Sequence, residues 1–368
     1  MRVCHIISGD LWAGAEVMCS RLLKGLQNNK NIELHAILLN EGKLAHELRI
    51  SGIHVTVVDE KKNNIIQIIK TIRNILNVAS PDVLHSHRFK ENIIAYFSVV
   101  YRNNITLVCT QHGMPEPLTG KTKALKKYIL SKFNFSIISR KFTFIVAVSH
   151  DVRNALVNKY GFPDSRVVVI HNGTYIPEKQ ERYNRGDGFV IGSAGRFFPV
   201  KDYSLMVHIA EGVLKHSGRI QFLLAGDGPE KENIISLIRK YKMEQTFRLP
   251  GFVDDMEAFY KSLDLYINTS LHEGLPMGIL EAMSYGIPVI APKCGGLTEI
   301  IDNGVEGYLI EGRIPESFAE KCLLIIFDRE LSMKMGAASR KKIVEIFSVD
   351  IMTNNYYNLY KNTLKCAV

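Results

Sequence analysis

The sequence predicts an α/β protein built from two doubly wound domains in tandem, each a parallel sheet covered by helices on both faces. Three observations carry this. Short runs rich in Val and Ile recur along the 368 residues. Between them lie segments with apolar residues at i, i+3 and i+4. One polar stretch with Gly at both ends, "GTYIPEKQERYNRGDG" (173–188), separates two such series. Apolar runs that alternate with helical patterns are strands buried on both faces, which is the signature of a parallel sheet. The length also suits two domains of ~100–200 residues each.

The first domain is expected over 1–173. Its strands read as "VCHII" (3–7), "LHAILL" (34–39), "HVTVV" (54–58), "DVLHS" (82–86), "ITLVCT" (105–110), "FIVAVS" (144–149) and "VVVIH" (167–171), with helical segments such as 14–27, 63–78 and 91–102 between them. The second domain is expected over 174–347, with 174–188 as its linker. Its strands read as "FVIGSAG" (189–195), "IQFLLAG" (220–226), "TFRLPG" (246–251), "LDLYIN" (263–268), "IPVIA" (287–291) and "EGYLI" (306–310). Residues 348–368 read as a helix with no strand after it. Ligands of doubly wound sheets bind at the carboxyl ends of the strands, so site residues are sought there.

Composition narrows the function. Hydrophobic residues make up 46% and charged residues 23%, ordinary for a globular protein. No stretch approaches the ~20 apolar residues of a membrane span, and the N-terminal run is too short for a signal-peptide core. The six cysteines show neither C-x-x-C pairs nor zinc spacing and read as buried thiols of a cytoplasmic protein. Charge is uneven: residues 1–173 hold 23 Lys/Arg against 12 Asp/Glu, and residues 174–368 hold 23 against 25. The basic half points to an anionic partner.

The stretch "YINTSLHEGLPMGILEAMSYGIPVIAP" is the most informative. It leaves a strand, makes a loop, and starts a helix near Met277, so the N–H groups of Met277, Gly278, Ile279 and Leu280 form an anion site. Glu273 precedes that helix start and Glu281 follows it by just over one turn. A carboxylate accepts two hydrogen bonds from a vicinal diol, so one Glu could hold a sugar and the other a ribose, with phosphate between. Alternatively, Glu281 is an ordinary charge near a helix N-terminus and Glu273 a loop charge. Upstream, "GSAGRFFPVKD" places Gly195, Arg196 and Lys201 on a strand-loop-helix turn, with Lys201 opening the helix: a diphosphate clamp, or two solvated cations. The G-x-G of "LLAGDGPEKE" reads as a turn.

In the first half, Gly14 in "SGDLWAGAEVM" lets a ligand approach the backbone, although the G-x-G-x-x-G fingerprint is absent. His112 in "CTQHGMPE" follows a strand and could face a cleft, as could His85 and His87 in "HSHRFKEN", though a lone histidine is more often structural. "GMPEPLTGKT" is no P-loop, because Pro115 stands five before Gly120. No D-x-D occurs, so a metal site of carboxylates is not expected. Residues 117–150 contain no acid. There Lys123, Lys126, Lys127 and Lys132 are interleaved with apolar residues, a pattern suited to an anionic membrane surface or to a solvated basic helix face. No nucleic-acid reading module is recognisable.

With "AGAE", "TQHG", "VAVSHDVR", "VIHNG", "GRFFPVKD", "LLAGDGPE", "LPGFVDD" and "SLHEGLPMGILEAMSYGIPVIA" in this order, the chain resembles the retaining GT-B glycosyltransferases of family GT4, whose signature is E-x7-E. The resemblance implies two Rossmann-like domains facing across a cleft, the first for an acceptor and the second for a nucleotide-sugar donor, with the last helix packing back on the first domain. It implies that Arg196 and Lys201 bind the donor diphosphate and that Glu273 meets the sugar hydroxyls. Backbone from Met277 to Leu280 would hold sugar and phosphate, and Glu281 the ribose diol. Backbone near Phe252 would meet the base, Gly14 would lie under the diphosphate, and His112 would lie near the reaction centre. Two departures stand out: Ala13-Gly14 replaces a common Gly-Gly, and "FSVD" lacks a Trp often found there.

The implied activity is metal-independent hexosyl transfer from a nucleotide sugar, UDP by default, to a glycan or lipid-linked acceptor in bacterial surface polysaccharide or lipopolysaccharide synthesis. No cofactor is expected, and the enzyme would lie in the cytoplasm, peripheral to the membrane. A nucleotide-sugar epimerase shares this architecture and is the competing enzyme; a non-catalytic sugar-nucleotide binding module is the third reading.

Overall fold

The computed structural model describes residues 1–102, 104–114, 121–178, 188–216 and 219–365, and for 121–129, 364 and 365 the backbone only. Two compact units emerge, one of Met1–Gly173 with the chain from Val349, the other of Thr174–Ser348.

The first unit runs β1 (Arg2–Ile7), α1 (Gly14–Gln27), β2 (Glu33–Leu38), α2 (Lys43–Ile50), β3 (His54–Val57), α3 (Ile65–Ala79), β4 (Val83–Ser86), α4 (Phe89–Val99), β5 (Thr106–Gln111), α5 (Lys121–Lys141), β6 (Phe144–Ala147), α6 (His150–Asn154) and β7 (Val167–Val169). The strand order is β3-β2-β1-β4-β5-β6-β7, parallel throughout. β1 and β4 are buried along nearly their whole length, which explains their mainly apolar character, interrupted by His5, His85 and Ser86. Helix starts are written locally. Asn64 caps α3, accepting from the amides of Ile66 and Gln67 while the Gln67 side chain accepts from the Asn64 amide.

The second unit runs β8 (Phe189–Ala194), α7 (Tyr203–Leu214), β9 (Ile220–Ala225), α8 (Lys231–Lys240), β10 (Phe247–Gly251), α9 (Met256–Lys261), β11 (Leu265–Ile267), α10 (Met277–Ser284), β12 (Val289–Pro292), α11 (Leu297–Ile300), β13 (Gly307–Ile310), α12 (Pro315–Phe327) and α13 (Arg329–Ile346). Its order is β10-β9-β8-β11-β12-β13, again parallel. Phe197, Phe222, Leu224, Ile290 and Phe318 lie fully buried in one core.

The last helix, α14 (Val349–Lys365), belongs to the first unit. It crosses α1 where a Cβ on Gly25 would stand 2.3 Å from Thr353 Oγ1, so glycine permits the close approach. In each sheet the order reverses once, between β1 and β4 and between β8 and β11. The loops leaving those strands diverge and leave a crevice at their carboxyl ends.

The structure corrects two local expectations. Lys201 does not open a helix: it closes a 3-10 turn (Pro199–Lys201), and α7 begins at Tyr203. Of the five described cysteines, four are buried, but Cys294 is only half-buried; Cys366 lies outside the described residues.

Candidate active site

In the second unit the candidate residues converge on the β8/β11 reversal. After β8 the chain passes Gly195 and Arg196 to the turn ending at Lys201; after β11 it passes Asn268–Pro276 into α10. The two loops are tied together. The Leu271 amide donates to the Val200 carbonyl at 2.8 Å, and Thr269 Oγ1 donates to the Lys201 carbonyl at 2.8 Å. This brings Lys201 Nζ to 2.5 Å from Glu273 Oε1. Ser270 Oγ donates to the same oxygen at 2.6 Å, and Asn268 contributes a further side-chain hydrogen bond. The Glu273 side chain is 12% exposed. Burial alone would raise its pKa, but the Lys201 charge and these hydrogen bonds outweigh burial and hold it below the usual glutamate range. Glu273 is therefore an ionised acceptor at neutral pH.

Glu281 stands one turn inside α10 and accepts a hydrogen bond from Tyr260 Oη at 2.6 Å. The α10 N-cap is Pro276, which supplies no capping side chain, so the amides of Met277, Gly278 and Ile279 have no acceptor within the helix, whereas the Leu280 amide, expected at the anion site, donates to the Pro276 carbonyl at 3.4 Å. Met277, Ile279 and Leu280 turn their side chains into the core, 6%, 0% and 0% exposed, so only their backbone is available to a ligand. At Gly278 an added Cβ would sit 2.6 Å from Tyr266 Oη. That hydroxyl donates to the Ala194 carbonyl at 3.3 Å, immediately before Gly195. Gly226 plays a similar part beneath the other loop: its φ is +138°, and a Cβ there would meet the Gly195 carbonyl at 1.9 Å. Arg196 is exposed, with its guanidinium carbon 4.7 Å from the centre of the Phe198 ring. Phe252, just past β10, is also exposed.

In the first unit Gly14 is the exposed first residue of α1, and His112 follows β5. His112 Nε2 is buried with no hydrogen-bond partner. Burial, then the nearby Arg88 charge, lowers its pKa to about 3, so the ring is neutral. His85 and His87 face the interior rather than a cleft. His87 Nε2 meets His5 Nδ1 at 2.9 Å, while His85 meets Tyr360 Oη at 2.6 Å and Thr110 Oγ1 at 2.9 Å. Thr110 in turn meets Tyr356 Oη at 2.9 Å. Nearby, Glu16 is buried against Arg88, and both Glu16 and Glu91 have pKa values raised by burial.

Two groups here have metal-ligand chemistry: His5, His85 and His87, and Cys19, His87 and His112. In the first, His5 and His85 have both ring nitrogens engaged by neighbouring side chains, while His87 engages Nε2 and leaves Nδ1 buried without a hydrogen-bond partner. The second includes a thiol whose pKa burial drives well up, which opposes the thiolate a metal would require.

Sequence reasoning passed over Tyr260, Asp202, Arg313 and the tyrosines of α14. Of the basic stretch, the side chains of Lys123, Lys126 and Lys127 lie outside the described residues. Lys132 is exposed, beside exposed Leu130 and Phe133. No described helix is long and apolar enough to cross a membrane.

Two family models match the chain, Glycosyltransferase Family 4 over residues 12–176 and Glycosyl transferases group 1 over residues 176–342. One relative, the poly(ribitol-phosphate) alpha-N-acetylglucosaminyltransferase of Staphylococcus aureus (strain COL), is 25% identical over 249 residues, 66% of this chain but only 48% of that protein. Another, the UDP-Gal:alpha-D-GlcNAc-diphosphoundecaprenol alpha-1,3-galactosyltransferase of Escherichia coli, is 24% identical over 379 residues, covering 94% of this chain and 96% of that one. Among solved structures, Anabaena HepE in complex with UDP-glucose superposes over 100% of both chains with a TM-score of 0.84 at 19% identity.

Proposed function

The chain belongs to the family 4 glycosyltransferases of GT-B fold, its two domain models together spanning residues 12–342, and from that premise we propose that it transfers a hexosyl group from a UDP-sugar with retention of anomeric configuration. The acceptor in this reading is a glycan or lipid-linked sugar of bacterial surface polysaccharide or lipopolysaccharide synthesis. The two relatives support that class, one acting on poly(ribitol-phosphate) and the other on a diphosphoundecaprenol-linked sugar by their names. Both are named as transferases, which does not favour the epimerase reading.

One observation carries the proposal: an ionised, largely buried Glu273 is held by Lys201 beside the uncapped start of α10. Glu273 receives hydroxyls of the donor sugar. Lys201 retains donors beyond the one it gives to Glu273, and with Arg196 and the first-turn amides of Met277 to Ile279 it meets the diphosphate. Negative charge grows on the leaving diphosphate in the transition state, and preorganised cations and a helix N-terminus stabilise it there. Gly195 and Gly278 keep the backbone close to the ligand. Glu281, oriented by Tyr260, takes the ribose diol, and backbone at Phe252 takes the base.

A nucleoside diphosphate is a good leaving group and needs no acid to protonate it. The departing phosphate takes the acceptor proton on the face it leaves, so no side-chain base and no metal is required. Proton NMR of the product tests this: a retained anomeric linkage is expected, and an inverted one overturns the mechanism. Incubation with the UDP-sugar alone tests the transferase reading itself, since isomerisation without acceptor would establish an epimerase. A thermal-shift screen of UDP, GDP and ADP identifies the base, because a bound ligand raises apparent stability. Exposed Lys132, Leu130 and Phe133 support peripheral membrane contact with Lys123, Lys126 and Lys127. Co-sedimentation with anionic liposomes at low salt tests it, and no binding would dismiss it.

A further inference from the structure

Asp202, the residue after Lys201, holds a left-handed backbone, with φ at +42° and ψ at +55°. A residue with a Cβ adopts this conformation at a cost, and it persists where the surroundings enforce it. Arg313, three residues beyond β13, supplies the enforcement. Its Nη2 and Nε donate to Asp202 Oδ2 at 2.5 and 3.2 Å. The same guanidinium donates through Nη2 to the Thr269 carbonyl at 2.5 Å and through Nη1 to the Ser270 carbonyl at 3.1 Å. One planar cation thus joins the residue that follows Lys201 to the segment that leads into Glu273.

We infer that Arg313 is a positioning residue of the transfer site, clamping the Lys201 turn to the Glu273 loop so that the two side chains meet in register. The inference rests on the transferase reading for its effect on turnover. It rests on geometry alone for its effect on Glu273. A lysine keeps the charge, but its single ammonium lacks the planar fork that reaches a carboxylate and two carbonyls together. Arg313 touches neither Lys201 nor Glu273 in these bonds, so its influence passes through Asp202, Thr269 and Ser270.

The test uses the full chain and three variants, Arg313→Gln, Arg313→Lys and Asp202→Gly. Asp202→Gly relieves the backbone strain while removing the carboxylate. Carbon-13 NMR follows the Glu273 carboxyl through its titration, assigned by Glu273→Gln, and amide exchange follows the Leu271 N–H that bridges the loops. UDP affinity and turnover of the donor chosen by the nucleotide screen are measured alongside, with thermal unfolding as a control.

The expected result is a Glu273 titration moved upward and faster Leu271 exchange in Arg313→Gln and Asp202→Gly, with a smaller effect in Arg313→Lys. Turnover should fall roughly 10- to 100-fold, as for a catalytic group displaced by a fraction of an ångström to one ångström, while UDP affinity changes little. Unchanged Glu273 titration and Leu271 exchange in Arg313→Gln overturn the positioning role whatever the activity. Neutral behaviour of Asp202→Gly on both probes overturns the clamp. A wild-type chain that binds no nucleotide would defeat the transferase reading, and the two NMR readouts would still decide the clamp.

Discussion

Lys201 Nζ lies 2.5 Å from Glu273 Oε1, joining the loop after β8 to the loop after β11 at the point where the strand order reverses. The pair is partly shielded, so removing one member leaves a poorly compensated charge, at a cost on the order of 3–5 kcal/mol for a fully buried pair and less here. Lys201→Met should lower the melting temperature and move the Glu273 titration upward. The sign follows from the depressed carboxyl. Its stabilising contribution is present above the unfolded value near 4.5 and is lost as pH falls through the folded value. The variant should therefore show a weaker loss of stability in acid than the wild type, read by thermal unfolding between pH 3 and 7.

The two glutamates should separate in kinetics. Glu273→Gln keeps the shape but removes the charge facing the sugar, and turnover is expected to fall about 100-fold with UDP affinity nearly intact. Glu281→Ala removes the partner of Tyr260 Oη and should weaken UDP instead. Calorimetry with UDP and steady-state kinetics on both variants check this. Equal loss of UDP affinity in the two would contradict separate roles.

Legibility in the sequence followed physical range. β1, β4, β8 and β9 were visible because strands buried on both faces are mainly apolar, and that is a local signal. Glu273 and Glu281 stood out because carboxylates beside a Pro-Gly helix start have few structural uses. Arg313 was not visible: it is one Arg in a polar loop, and its meaning arises only when β13 brings it to Asp202. The left-handed φ of Asp202 was equally hidden, since nothing in "PVKDYS" demands it. The histidine network does leave a local signal. His5 and His85 are polar residues within apolar strands, and they turn out to be register partners across β1 and β4. Tyr356 and Tyr360, in a helix far along the chain, complete that network, and no local pattern could have joined them to it.

Gly278→Ala isolates the close approach at α10. Alanine favours a helix by roughly 1 kcal/mol over glycine, so propensity alone predicts a gain. The added methyl would instead meet Tyr266 Oη, the end of a rigid and buried ring that also bonds the Ala194 carbonyl. Overpacking of this kind costs about 1–3 kcal/mol. A lower melting temperature and weaker UDP binding are expected. A stabilised variant with unchanged affinity would show that the ring yields freely.

Acid should destabilise the first unit through its histidines. Burial lowers the pKa of His5 and His112 to about 3 and drives His85 and His87 down as well. For groups depressed on folding, stability is full above the unfolded value near 6.5 and declines as pH falls below it. At pH 5 each histidine that stays neutral forfeits roughly 2 kcal/mol. Glu16 and Glu91, raised by burial, act in the opposite sense, losing stability as pH rises above their unfolded values. The histidines are more numerous, and their unfolded-state value of 6.5 places the onset of their effect near neutrality, so a steep fall in melting temperature between pH 7 and 5 is expected. A flat profile over that window would mean that these rings are not buried neutral.

The same network makes α14 part of the first unit's stability. Tyr360 Oη meets His85 Nδ1 at 2.6 Å and lies 3.5 Å from His5 Nε2, so Tyr360→Phe strands buried ring nitrogens while preserving the aromatic packing. An unsatisfied buried polar group costs about 1–3 kcal/mol. Tyr356→Phe removes a single bond to Thr110, and Thr110 keeps His85 as a partner, so its cost should be smaller. Chemical denaturation of both variants reads the difference. pH gives a second reading: burial, then His5 and His112, hold the His85 pKa down, and these causes persist in Tyr360→Phe, so its stability should be offset downward while the acid-induced decline keeps its shape. Wild-type stability in Tyr360→Phe, with Tyr356→Phe the more damaging change, would mean that the helix is held by packing and that the hydroxyl-to-imidazole chain is incidental to it.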